Sequence, residues 1–213
     1  MAADGSSPPE TIAAVDNRAA YLSWSPDGKL LALSVGPVGG ADIMTLPAEG
    51  GRKLRPFLRA QASEYSPEFS PDGRWIAYLS TETGRSEVYV RPAPAPSGSG
   101  EAAGGTWQVS THGGNYPRWA RGPGGAPREL FYRNGDKMMA VEIEPGGASF
   151  RARTPRVLFE GRYSALGGSY DVSADGKRFL MLKSAAEPES GPAQVHVVLE
   201  WFEEIRRRVR AGG

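Results

Sequence analysis

Within GGSYDVSADGKRFLML, residues 167–182, Ser169 has a setting that approaches a nucleophile elbow. Such an elbow reads Gly-x-Ser-x-Gly and lifts its serine on a sharp turn between a strand and a helix. Here the last position is Asp171 rather than glycine, and the turn Ala174-Asp175-Gly176 arrives before a helix could start. Acyl transfer at Ser169 is not expected. The two histidines add little: His196 lies in an alternating apolar segment, and His112, in STHGGNYPRW, sits in a loop with no evident acid or nucleophile beside it. His112 could touch a ligand.

Other chemistries lack their residues. With no cysteine, disulfides, thiolate catalysis and thiolate metal sites are excluded, and two separate histidines do not make a zinc site. Aspartates recur singly before glycine, not at the alternating spacing of a calcium loop. The chain contains neither a Gly-x-x-x-x-Gly-Lys-Ser/Thr phosphate loop nor the His-Arg-Asp and Asp-Phe-Gly signatures of protein kinases. The sequence thus reads as noncatalytic, with no cofactor.

The elements that would position any site follow from a repeat. WSPDGKLLAL from Trp24, FSPDGRWIAY from Phe69 and VSADGKRFLM from Val172 share a leading apolar residue, a serine, an Asp-Gly turn, a basic residue and an apolar strand. A degenerate copy, WARGPGGAPRELFY, starts at Trp119 with an enlarged turn. Spacings between the leading residues 24, 69, 119 and 172 are 45, 50 and 53, the period of a four-stranded propeller blade. In Ser25-Pro26-Asp27-Gly28 the proline presets φ, the aspartate can bond nearby backbone and Gly28 can adopt the left-handed conformation. Leu31, Ile76 and Phe179 share one strand face with Leu33, Tyr78 and Met181, while Ala32, Ala77 and Leu180 take the other. A strand apolar on both faces belongs between two neighbours. ADIMTLP, SEVYVRP, DKMMAVEIE and AQVHVVLEW read as further strands, and Asn134-Gly135 as a tight hairpin turn.

The fold expected is therefore all-β: a propeller of about four four-stranded blades, alone or as part of a larger ring, with a short C-terminal helix. Residues 1–10 read as a disordered start and 11–200 as the propeller, with repeats near 21–60, 64–115, 116–165 and 168–200. Residues 92–105 read as a low-complexity rim loop. Residues 201–213 carry Trp201, Ile205 and Val209 on one helical face, followed by arginines. Residues 11–15, TIAAV, are a candidate outer strand closing the last blade. An arc left open would expose apolar faces and invite self-association.

Composition agrees with such a fold. Glycine 28 and proline 18 make about a fifth of 213 residues, and 39% are hydrophobic. A net charge of +1 gives no reason to expect a nucleic-acid partner. The N-terminal residues show no signal-peptide pattern, and no apolar run is long enough for a membrane span.

In each repeat the residue before the leading apolar position is Ser23, Glu68, Arg118 or Asp171, which places these on the innermost strands near the axis. Arg118 can form an inter-blade ion pair with its acidic neighbours. Alternatively, Glu68, Arg118 and Asp171, with Tyr65, Asn115, Tyr116 and Tyr170, make a polar channel mouth that holds a peptide or small ligand.

The SPDG turns with their apolar strands resemble the WD-like propeller repeat of the TolB-like family. The ordered strings SPEFSPDGRWIAYLSTETGRSEVYVRP, WQVSTHGGNYPRW, ELFYRNGDKMMAVEI, YDVSADGKRFLML and VHVVLEWFEEIRRRV are similar to the C-terminal propeller of certain bacterial serine/threonine kinases. That resemblance spans residues 21–209 and implies a sensory, scaffolding or protein- and peptide-binding module, periplasmic or extracytoplasmic in the relatives. The kinase domain and membrane span of those relatives are not in this sequence, and four repeats stand where relatives usually carry six or more. The alternative reading is a propeller fragment of a larger enzyme, a membrane-linked kinase or a propeller-gated hydrolase.

Overall fold

The computed structural model describes residues 6, 8, 10–15, 17–50, 52–95, 104–144, 149–164 and 170–183. Ser169, His196, the AQVHVVLEW segment and the helix expected over 201–213 lie outside them.

Among the described residues the fold is all-β apart from one 3-10 turn. β1 (Ala19–Trp24), β2 (Leu30–Val35), β3 (Asp42–Pro47) and β4 (Arg55–Leu58) form a four-stranded antiparallel meander. β5 (Glu64–Phe69), β6 (Trp75–Ser80), β7 (Glu87–Pro92) and β8 (Trp107–Gln108) form a second. β9 (Asn115–Arg121), β10 (Pro127–Asn134), β11 (Lys137–Glu142) and β12 (Arg156–Glu160) form a third, and β13 (Tyr170–Val172) pairs with β14 (Phe179–Met181) to begin a fourth. These are propeller blades, each opening on its innermost strand.

The turns between the first two strands of blades 1, 2 and 4 are built alike. Ser70 Oγ accepts the Trp75 N–H at 3.0 Å and donates to Asp72 Oδ1 at 2.6 Å, while Asp72 Oδ1 also accepts the Arg74 N–H at 3.1 Å. Ser25 with Asp27, and Ser173 with Asp175, repeat this set. Gly28, Gly73 and Gly176 close the turns at φ of 69°, 71° and 71°, where a side chain would be strained. The enlarged turn of blade 3 is the 3-10 segment Pro123–Gly125, with Gly124 and Gly125 at positive φ.

Packing runs from blade to blade. β6 has no exposed residue. On one face Ile76 and Tyr78 meet Leu30, Ala32, Ile43 and Phe57 of blade 1. On the other, Trp75, Ala77 and Leu79 meet Trp119, Leu130 and Tyr132 of blade 3. Each buried Leu, Ile or Phe among them contributes about 1.5–3 kcal/mol of transfer free energy. Phe131, Met138 and Ala140 then pack on Tyr170 and Phe179 of blade 4.

Two expectations are corrected. Residues 11–15 are not a strand; Ile12 and Ala13 instead lie against Leu31, Leu33, Met44 and Leu46 on the free face of blade 1. Leu180 is not sandwiched either. It is 65% exposed, because in blade 4 the face opposite Phe179 has no neighbouring sheet among the described residues. Trp24 and Leu22 are similarly exposed on β1, at the other end of the row of blades. No helix among the described residues is long and apolar enough to cross a membrane.

Candidate functional site

The innermost strands carry an irregularity at one repeated slot. Tyr21, Ser66 and Tyr116 have φ of 51°, 51° and 53°, in the left-handed region that non-glycine residues seldom occupy. At each the ladder slips: register shifts fall between Ala20 and Leu22, between Tyr65 and Glu68, and on β10 between Phe131 and Arg133, opposite Tyr116. A bulge inserts a residue and re-aims side chains. In this fold it bends three successive inner strands at the same height. Strain repeated three times in polar or aromatic residues points toward function.

The bulges deliver tyrosines from three blades to one place. The Tyr21 ring lies 6.4 Å from Tyr65, edge to face, and 6.4 Å from Tyr116, tilted. Tyr65 Oη accepts the Gly39 N–H at 2.8 Å, tying it to the loop after β2. Burial, and to a lesser degree Tyr21, raises the Tyr116 hydroxyl above the ordinary phenol value. These rings border a cavity of about 390 Å³, also lined by Arg18, Ser34, Val38, Ser66, Leu79 and Asn115. It lies at the N-terminal ends of the inner strands.

A second cavity, about 230 Å³, lies at their C-terminal ends and is lined by Trp24, Glu68, Phe69, Trp119 and Arg121 among others. Glu68 faces Arg118 across blades 2 and 3, with Nη1 3.3 Å from Oε2. Trp119 Nε1 donates to the Glu68 carbonyl at 3.0 Å. Burial pushes the Glu68 carboxyl up to about 7; the Arg118 guanidinium opposes that rise and Asp171 adds to it.

The expected single mouth therefore separates. Tyr65, Asn115 and Tyr116 share the larger cavity, and Glu68 borders the smaller. Arg118 is engaged in its inter-blade pair. Tyr170 is buried, its hydroxyl donating to the Tyr116 carbonyl, and burial holds that hydroxyl far above the ordinary phenol range. Asp171 is exposed and accepts the Val172 N–H at 2.8 Å. His112 is exposed, 3.0 Å from Thr111 Oγ1, in a loop anchored by buried Glu87, which accepts from the Ser110 hydroxyl and the Gly113 N–H. None of Arg118, Tyr170, Asp171 or His112 lines the tyrosine cavity.

Sequence reasoning missed Tyr21, Arg18 and Ser34. Tyr21 was detectable, since it occupies the same repeat slot as Tyr116. Arg18 stands just before β1, and Ser34 lies on β2 opposite Ala20, so both belong to the same blade as Tyr21.

Successive four-stranded sheets, stacked face to face with cavities at both ends of their inner strands, define a β-propeller of TolB-like fold. A solved, provisionally assigned TolB from Agrobacterium tumefaciens is 17% identical with a TM-score of 0.51, covering 68% of this chain and 51% of that one. A periplasmic gluconolactonase of Pseudomonas aeruginosa is 21% identical with a TM-score of 0.41, over 64% of this chain and 39% of that one. An uncharacterised protein of Agrobacterium fabrum is 30% identical over 69 residues, 32% of this chain and 23% of that protein. The chain spans about half the length of the solved TolB and under a quarter of the curated relative. No family model matches it.

Proposed function

We propose that this chain is a noncatalytic recognition module, a propeller segment that binds a peptide or the exposed end of a protein. The observation that carries the reading is the convergence of Tyr21, Tyr65 and Tyr116, from three different blades, on one cavity of about 390 Å³. Tyrosine rings offer apolar area, a hydroxyl and little rotamer entropy to lose, which suits binding surfaces. Propellers commonly bind at the ends of their inner strands. On the same reading the module works outside the cytoplasmic membrane as a sensory or scaffolding part of a longer protein, in line with its resemblance to envelope propellers.

The test is selection from a displayed peptide library on the purified chain, repeated with the Tyr21→Ala, Tyr116→Ala double variant. Clones enriched on the parent and lost on the variant support the reading; no enrichment overturns its binding half. Turnover of simple esters and lactones, assayed alongside, addresses catalysis. A rate above buffer that disappears in Tyr116→Ala would overturn the noncatalytic half.

A further inference from the structure

Arg18 precedes β1 at the rim of the tyrosine cavity. Its backbone is held at both groups: its carbonyl accepts the Gly36 N–H at 3.0 Å and its own N–H donates to Asn17 Oδ1 at 2.8 Å. Arg52, Arg59, Arg118 and Arg156 each face a carboxylate, whereas the Arg18 guanidinium has no ion-pair partner among the described residues. Among the described residues it is the only Lys or Arg lining the cavity, and no described Asp or Glu lines it.

Two further groups in that lining lack partners. Ser34 and Ser66 are 2% and 3% exposed, and neither hydroxyl has a hydrogen-bond partner among the described residues. Both oxygens are closed off from the cavity, so neither faces a ligand in it. The Arg18 guanidinium suits an anion, and the Asn115 amide adds a further donor to the lining. A lone guanidinium matches a single negative charge better than a dianionic phosphate. Ala20, Leu79 and the tyrosines supply an apolar remainder. The volume is near the lower bound for ligand pockets, about 300 Å³, which admits a few residues of peptide and no folded domain.

We infer that the tyrosine cavity takes a carboxylate carried on a short apolar chain, received by Arg18 and flanked by Tyr21, Tyr65 and Tyr116. This rests on the binding-module reading above and narrows its ligand. The carboxylate can come from a peptide C-terminus or from a free organic acid.

Titration of the whole chain with three probes tests it: N-acetyl-Ala-Ala-Phe with a free carboxylate, the same peptide as its C-terminal amide, and 3-phenylpropionate. The expected result is binding of an acid about tenfold or more above the amide, with the difference abolished in Arg18→Gln. Arg18 is exposed, so the thermal unfolding of that variant should match the parent. A tripeptide acid that outbinds 3-phenylpropionate identifies a peptide C-terminus; the reverse order identifies a small acid. Equal binding of acid and amide, lost in Tyr116→Ala, overturns this inference and leaves the binding-module reading standing. No binding by any probe up to about 10 mM also overturns it.

Discussion

The Tyr170 hydroxyl of blade 4 donates to the backbone carbonyl of Tyr116 in blade 3, at the residue where β9 takes its left-handed bulge. A second acceptor, the Phe131 carbonyl, lies 3.4 Å from the same oxygen. One buried phenol therefore joins two blades and braces the strained residue that carries a wall of the tyrosine cavity. Tyr170→Phe keeps the ring packing and removes only the hydroxyl. It should lower stability by about 1–3 kcal/mol, because the Tyr116 carbonyl is left without its inter-blade donor. Urea unfolding measures this, and an unchanged midpoint would show that the bond contributes nothing net.

Glu64 gives the fold a pH dependence of definite sign. Its carboxyl is 1% exposed, Oε2 has no hydrogen-bond partner, and Oε1 accepts from Ser80 Oγ at 3.3 Å. Burial pushes its pKa up from 4.5 to about 7, with Asp42 and Glu82 adding to the rise and Ser80 opposing it. Between those values the folded chain retains a proton that the unfolded chain has released, so stability falls as pH rises through that window and levels off above it. Glu68, raised to about 7 as well, acts in the same direction. Asp27 and Asp175 are lowered instead, mainly by their serine hydrogen bonds, so their contribution is lost only in more acidic solution. Glu64→Gln should flatten the decline between pH 4.5 and 7 and gain on the order of 1–3 kcal/mol relative to the parent at pH 8. Denaturant melts across that range decide it, and a slope identical to the parent's would exclude Glu64 as its source.

The three serine turns should differ in value although their bonds are the same. Ser70 is fully buried, and its Oγ satisfies the Trp75 N–H at the head of the most enclosed strand. Ser173 makes the equivalent bond to the Arg178 N–H in an exposed setting, where water can substitute. Ser70→Ala should cost about 1–3 kcal/mol and Ser173→Ala under about 1 kcal/mol. Equal costs would mean that turn geometry, not burial, sets their worth.

Most of the fold was legible because its period is written in local chemistry. Ser25, Ser70 and Ser173 each stand two residues before an aspartate and three before a glycine, and that spacing alone dictates the turn. The bulge was not legible as a bulge, since Tyr21, Ser66 and Tyr116 are not glycines and nothing local forces positive φ on them. Tyr170 was misplaced for a readable reason. Its repeat slot holds Pro67 and Pro117, both buried, so inward packing was the slot's rule. Leu22 occupies that slot in blade 1 and is exposed, because no described sheet covers β1 there.

The three turn glycines form a graded series. Gly28, Gly73 and Gly176 have φ near 70°, so alanine at any of them costs about 1–2 kcal/mol for the left-handed backbone. Their surroundings then separate them. A Cβ at Gly28 meets nothing within 4 Å; at Gly73 it would lie 3.4 Å from Pro26 Cδ, an ordinary contact; at Gly176 it would lie 2.7 Å from the Ala120 Cβ of blade 3. That last approach is shorter than carbon atoms tolerate, and the Arg121 N–H to Ala174 carbonyl bond, 2.9 Å, ties the two blades at the same point. Gly28→Ala and Gly73→Ala should therefore lose similar stability, while Gly176→Ala should lose about 1–3 kcal/mol more through the overpacked contact. Urea midpoints of the three variants test this order. Equal losses at all three would show that blade 4 shifts to admit the methyl group at no cost, and that its seat on blade 3 is looser than this contact implies.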